Sequence, residues 1–187
     1  LMQPRDYQQE VNDACMAYLK RDAYKGPAVI NASVGAGKSV LIAAIAKHCA
    51  ETRLPDRPCR ALIIQRQGEL CKQNSDAAFE FGVTQQCCYS ASLNRKGTAY
   101  PIIFGTEGTV YNALQSDFIA YPVDIIMIDE CHMCDFDNPD TQFMKIISHF
   151  MQLNPNTRIL GYTGSPYRGT DSIIGPFWRQ LIGNIST

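Results

Sequence analysis

The chain has no surplus of basic charge: 17 Lys and Arg stand against 18 Asp and Glu, for a net charge of −1 and a pI of about 6.3. A protein that coats nucleic acid through bulk positive charge is thereby excluded. Any strand contact must be local, through particular hydroxyls, amides and a few basic side chains. Long apolar runs are missing too. The longest, Val40 to Ala46, is a helix or core segment far too short to cross a bilayer, so no membrane partner is expected. No charged-then-apolar leader with a small-residue cleavage site follows Leu1, which sets a cytoplasmic expectation. Eight cysteines are present, but Cys131 and Cys134 form the only Cys-x-x-Cys, with no second pair at zinc-binding spacing. Without export the thiols are expected to be reduced. Internal repeats, low-complexity segments and a guanine-reading Asn-Lys-x-Asp are also lacking, and the last of these weighs against a GTPase.

What is present fits one domain with a full hydrophobic core: 187 residues, 45% hydrophobic and 19% charged. Strand and helix patterns alternate, as in a parallel sheet covered on both faces. Helices are expected over Asp6–Lys20, Lys38–Ala50, Gln67–Phe81, Thr106–Leu114 and Thr141–Leu153. Strands are expected over Ala28–Ala32, Ala61–Ile64, Gln86–Tyr89, Pro101–Phe104, Asp124–Ile128 and Arg158–Tyr162, with a polar loop from Ser90 to Thr98. Asp124–Ile128 is apolar after its first residue and so reads as a central strand.

Two short segments carry the chemistry. Gly35-Ala36-Gly37-Lys38-Ser39 follows the apolar stretch Pro27-Ala28-Val29-Ile30, at a strand-to-helix turn. Its glycines let backbone N–H groups point at phosphate oxygens, and the helix adds the positive end of its dipole. Lys38 then bridges the terminal phosphates of ATP, and the Ser39 hydroxyl ligates Mg²⁺. The usual eight-residue pattern opens with glycine; here Ala32 takes that place. Asp129-Glu130-Cys131-His132 follows Ile125-Ile126-Met127-Ile128. At such a strand end Asp129 holds Mg²⁺, Glu130 orients and deprotonates the attacking water, and His132 reports the phosphate state to a neighbouring segment. Alone, the first segment is equally a tight turn with a surface lysine, and the second a solvated strand end. In this order they describe two halves of one ATP site.

The chain also has Arg5-Asp6-Tyr7-Gln8-Gln9 before the glycine turn and Thr163-Gly164-Ser165-Pro166-Tyr167-Arg168 near its end. With these the whole chain resembles the first RecA-like domain of a superfamily 2 helicase. Tyr7-Gln8-Gln9-Glu10, Ile103-Phe104-Gly105-Thr106, Asp124 to His132 and Asn154 to Gly161 look most like RadD-type DNA-repair ATPases and restriction-enzyme motor subunits. The resemblance implies an α/β P-loop NTPase, with a RecA-like parallel sheet and helices on both faces. Gln8 would then read the adenine edge, with Arg5 and Tyr7 flanking the base. Thr163 and Ser165 would couple hydrolysis to strand movement, although the family usually has Thr-Ala-Thr-Pro where Gly164 and Ser165 stand here. Arg66, Thr106 and Thr109 would hold strand phosphates, with Gly108 replacing a common glutamine. The strand is expected to be DNA rather than RNA.

The resemblance also divides the chain into a RecA-like domain over residues 1–170 and, over 171–187, the start of a linker to a second RecA-like domain. That second domain supplies the arginines that stabilise charge on the transferring phosphate, so this domain alone should turn over little ATP. The rival readings are a nucleotide-regulated switch or scaffold that does not translocate, the motor part of a restriction enzyme, and a small-molecule kinase.

Overall fold

The computed structural model describes residues 6–32, 37–165, 167–168 and 171–185. Its main sheet has eight strands. In chain order these are β1 (Ala28–Ala32), β2 (Ala61–Gln65), β3 (Gln86–Ser90), β4 (Arg95–Lys96), β5 (Ile102–Thr106), β6 (Ile125–Asp129), β7 (Arg158–Thr163) and β10 (Gln180–Ile185). The short strands β8 (Tyr167–Arg168) and β9 (Asp171–Ser172) form a separate hairpin. The sheet order is β10-β1-β7-β6-β2-β5-β3-β4, and every pairing is parallel except β3 with β4.

Alternation along each strand builds the two layers. Ala28, Ile30 and Ala32 of β1, with Ile125 and Met127 of β6, face one side. There they meet α1 (Asp6–Tyr18), α2 (Lys38–Glu51) and α3 (Gly68–Glu80). Val29, Ile126 and Ile128 face the other side, under α4 (Glu107–Asn112) and α5 (Gln142–Leu153). Strands covered on both faces read as unbroken apolar runs, and all five residues of β2, β5 and β6 are buried. Helix α2 explains its own composition in the same way, with Leu41, Ile42, Ala43, Ile45, Ala46 and Cys49 buried around most of its circumference. Helix α5 shows the half-buried version: Phe143, Ile146, Ile147 and Phe150 form one stripe, and the Thr141 hydroxyl accepts from Met144 N at 3.2 Å to cap its start.

The expected elements are present, most with ends shifted by one or two residues. Four strands were not expected: the β8–β9 hairpin, β4 and β10. The loop Ser90 to Thr98 contains β4, a two-residue charged edge strand. More consequential, the segment expected to begin a linker supplies β10, which pairs with β1 from Ala28↔Gln180 to Ala32↔Ile185. It also supplies Trp178, fully buried against β7. The sheet therefore does not end at residue 170.

Gly161, in the middle of β7, is where this packing is tightest. A Cβ there would lie 2.5 Å from the Trp178 ring and 2.7 Å from Cys131 Sγ. Both neighbours are buried and have little room to move. Gly161→Ala should therefore destabilise the fold by about 1–3 kcal/mol through overpacking. Urea unfolding followed by tryptophan fluorescence checks this, and Trp178, the sole tryptophan, reports from the spot itself.

Candidate active site

The carboxyl ends of β1, β7, β6, β2 and β5 lie along one edge of the sheet. In open parallel sheets that edge is where ligands bind. Helix α2 starts there at Gly37, whose φ of 77° is a left-handed conformation that glycine adopts freely. The Gln8 side chain, buried on α1, lies so close over Gly37 that a Cβ would overlap its amide. Arg5, Gly35 and Ala36 lie outside the described residues, as does the side chain of Tyr7.

Lys38 reaches from the first turn of α2 to the end of β6. Its ammonium stands 3.0 Å from Asp129 Oδ1 and donates to Glu130 Oε1. Burial alone would lower the lysine pKa, but the Asp129 charge and the hydrogen bonds to both carboxylates outweigh it. The pKa therefore lies above the ordinary value of 10.5. Ser39, one residue on, donates from Oγ to Asn74 Oδ1 at 2.8 Å, and Asn74 Nδ2 donates to Asp129 Oδ2 at 2.9 Å. Gly37, Lys38, Ser39, Asn74, Asp129 and Glu130 line a cavity of about 280 Å³, with Leu70 at its rim. Two carboxylates and one ammonium leave a net negative charge in it. Hard oxygen donors share its wall, among them the Ser39 hydroxyl and the Asp129 carboxylate, which is the donor set that Mg²⁺ takes.

Glu130 is held in the left-handed region at φ 53° and ψ 45°. For a residue with a side chain that costs on the order of 1–3 kcal/mol, and such strain clusters at functional sites. The turn it makes brings the Glu130 N–H to Asp129 Oδ1 at 2.9 Å and aims its carboxylate at Lys38. A short helical turn follows, Cys131–Met133. In it His132 Nε2 lies 3.7 Å from Glu130 Oε2, while its Nδ1 is hydrogen-bonded to Thr163 Oγ1 at the end of β7. Thr163 Oγ1 also accepts from Ser165 N at 2.9 Å. A continuous path thus runs from Lys38 through Glu130 and His132 to Thr163 and Ser165.

The three expected strand-contact residues are placed differently. Arg66 is exposed just after β2 and donates to the Met133 carbonyl at 2.9 Å, which ties it to the Glu130 turn. Thr106 is buried and donates to Thr109 Oγ1 at 2.8 Å, and Thr109 Oγ1 accepts from Ala91 N at 3.0 Å. Both hydroxyls already have partners within the protein. Cys131 points into the core, where desolvation pushes its thiol well above the ordinary range. His149 serves the fold, bonded to the Phe118 carbonyl at 2.7 Å.

Sequence reasoning missed Asn74. The available signal was a polar residue on the buried stripe of α3, between Cys71 and Ala78, where an asparagine without partners would be costly.

The raised Lys38 pKa fixes a sign for pH dependence. Its contribution to stability is fully present below pH 10.5, its unfolded value, and is lost as pH rises through the higher folded value. The gap in unfolding free energy between wild type and Lys38→Met should therefore shrink above pH 10.5. Urea midpoints of both proteins, measured on either side of that pH, check it.

Comparisons with known proteins give a family and a shared fold. The family model described as "Type III restriction enzyme, res subunit" matches residues 1–168. No curated protein matches the sequence. Among solved structures, the fold is similar to the UvsW helicase from bacteriophage T4, with a TM-score of 0.66 and 19% identity. That match covers 97% of this chain and 60% of the helicase. A second similar structure is a nuclease-deletion mutant of the type ISP restriction-modification enzyme LlaGI in complex with a DNA substrate mimic. Its TM-score is 0.68 at 13% identity, covering 99% of this chain and 20% of that one. The chain thus spans only part of the proteins it is similar to. The chain belongs to the family of the type III restriction enzyme res subunit, and it shares its fold with the helicase and restriction-modification structures it matches.

Proposed function

We propose that this domain binds ATP with Mg²⁺ at the Lys38–Asp129–Glu130 cavity and, in the full-length protein, hydrolyses it to drive movement along DNA. The observation that carries this reading is one ammonium held by two adjacent carboxylates, with the Ser39 hydroxyl in the same cavity.

In this reading Lys38 moves from Glu130 to the terminal phosphates, whose charge exceeds that of one carboxylate. Release from Lys38 leaves Glu130 free to orient the attacking water and take its proton. Ser39 and Asp129 hold Mg²⁺, which when bound neutralises charge on the phosphate oxygens. Gln8 is buried against Gly37, and with Arg5 and Tyr7 it receives the adenine; its amide offers a donor and an acceptor side by side. Gly35, Ala36 and Gly37 cradle the phosphates.

His132, Thr163 and Ser165 carry the change at Glu130 to the end of β7, where a second RecA-like domain would feel it and supply the charge-stabilising arginines. On the strand side, exposed Arg66 makes the principal phosphate contact. Thr109 assists, and Thr106 holds Thr109 in place. DNA is preferred because one of the similar structures holds a DNA substrate mimic. The burial of Thr106 and the commitment of its hydroxyl proton to Thr109 favour a second reading, a nucleotide-regulated switch that does not translocate.

Strand-stimulated ATP turnover by the full-length protein separates the two. Single-stranded DNA should raise turnover of the wild type. Glu130→Gln should reduce turnover by about 10²-fold or more while binding ATP at least as well as wild type. Arg66→Ala should weaken DNA binding by a similar factor on unrelated sequences and flatten its salt dependence, since a phosphate contact carries no base information. Turnover indifferent to DNA in wild type would remove the motor reading and leave the switch.

A further inference from the structure

Three elements meet at the side chain of Asn74. Its Oδ1 accepts from Ser39 Oγ of α2 at 2.8 Å, and its Nδ2 donates to Asp129 Oδ2 of β6 at 2.9 Å. With the Gln65 amide of β2 turned so that its nitrogen faces the Ile63 and Gly105 carbonyls, the orientation its surroundings satisfy, it donates to both at 3.0 Å and its oxygen accepts the second Nδ2 hydrogen of Asn74 at 3.2 Å. Asn74 is 2% exposed and Gln65 0%, so each amide relies on these protein partners. The requirement at this point is one acceptor and two donors on a short side chain, which asparagine meets. A leucine would supply none of these. An aspartate would lack the donors and place a like charge against Asp129.

A hydroxyl that gives a lone pair to a cation needs an acceptor for its proton. Asn74 Oδ1 is that acceptor for Ser39, which leaves the serine lone pairs free toward the cavity. Asp129 is fixed from both sides as well, Oδ2 by Asn74 and Oδ1 by Lys38 and the Glu130 N–H. We infer that Asn74 is a positioning residue for Mg²⁺, locking the Ser39 hydroxyl and the Asp129 carboxylate in the mutual orientation in which both present ligand oxygens. This rests on the reading above that Ser39 and Asp129 hold the metal. Gln65 anchors Asn74 to the ends of β2 and β5, so the metal pair is tied to the two strands that carry Arg66 and Thr106.

The test is binding of a fluorescent, non-hydrolysable ATP analogue to the full-length protein, titrated at varied Mg²⁺ and in EDTA. Wild type should bind more tightly with Mg²⁺, and Ser39→Ala should lose that gain; these two measurements test the metal reading by itself. Asn74→Ala should keep the affinity measured in EDTA within about twofold and raise the Mg²⁺ needed for half the effect by roughly 10-fold or more, the usual cost of removing a group that orients a metal ligand. In the Ser39→Ala background the same change should have a smaller effect, because the two act through one bond. Asn74→Ser, which can serve Ser39 or Asp129 but not both, should behave in the same direction and replaces Asn74→Ala if circular dichroism shows that variant unfolded. An unchanged Mg²⁺ requirement, or an equal loss with and without Mg²⁺, would overturn the inference. No Mg²⁺ effect in wild type would instead overturn the metal reading, and the inference with it.

Discussion

Two carboxylates side by side at the end of a buried strand repel each other, and the ammonium of Lys38 holds Asp129 and Glu130 together. Much of the architecture is what lets that ammonium arrive. Strands β1 and β6 are not neighbours; β7 lies between them. With neighbouring strands about 4.8 Å apart, the glycine turn after β1 and the acidic end of β6 are separated by about 10 Å. That gap suits a long cation reaching from one side and a carboxylate turned toward it from the other. The left-handed turn at Glu130 completes the approach, and it also brings the Glu130 N–H to Asp129 Oδ1. An ion pair of this kind is weak evidence for stability, since removing two charges from water is expensive. Its value here lies in being exchangeable for another anion.

The intervening strand has a second consequence. Register puts Tyr162 of β7 beside Asp129 and Thr163 beside Asn31 of β1, so Thr163 sits between the two halves of the site. His132 then needs only one turn of helix to contact both Thr163 and Glu130. Whatever draws Lys38 from Glu130 alters the charge facing His132, and through it the hydroxyl at the end of β7. Arg66 makes a related connection on the other side, bonding the carbonyl of Met133 in the same helical turn. The Glu130–Met133 turn is thus touched by the phosphate side, by the end of β7 and by the expected strand track.

Much of this was legible in the sequence, for identifiable reasons. Fully buried parallel strands leave unbroken apolar runs, and α2 and α5 leave all-round and one-sided patterns; both signals are local. The glycine turn and the Asp-Glu pair are equally local. What escaped depends on partners far away in the chain. Strand β10 is a mixed polar and apolar edge whose pairing comes from β1, near the opposite end of the sequence, with Gln180 set against Ala28. Strand β4 is two exposed charged residues, indistinguishable from a loop without β3 beside it. Asn74 looks like a weak helix former until Ser39 and Asp129 are placed on either side of it. The threonines of the expected strand track show the reverse case. Their hydroxyl chemistry was readable, but not that the fold would engage it internally.

In this protein, ATP binding requires Lys38 to exchange its carboxylate partner for phosphate. The most direct measurement is a crystal structure of the protein with Mn²⁺ in place of Mg²⁺ and a non-hydrolysable ATP analogue, with the metal located by its anomalous scattering. Lys38 Nζ should lie on a terminal phosphate oxygen and away from Glu130, with the metal beside Ser39 and Asp129. Nucleotide bound while Lys38 remains on Glu130, or a metal site that excludes Ser39, would contradict it.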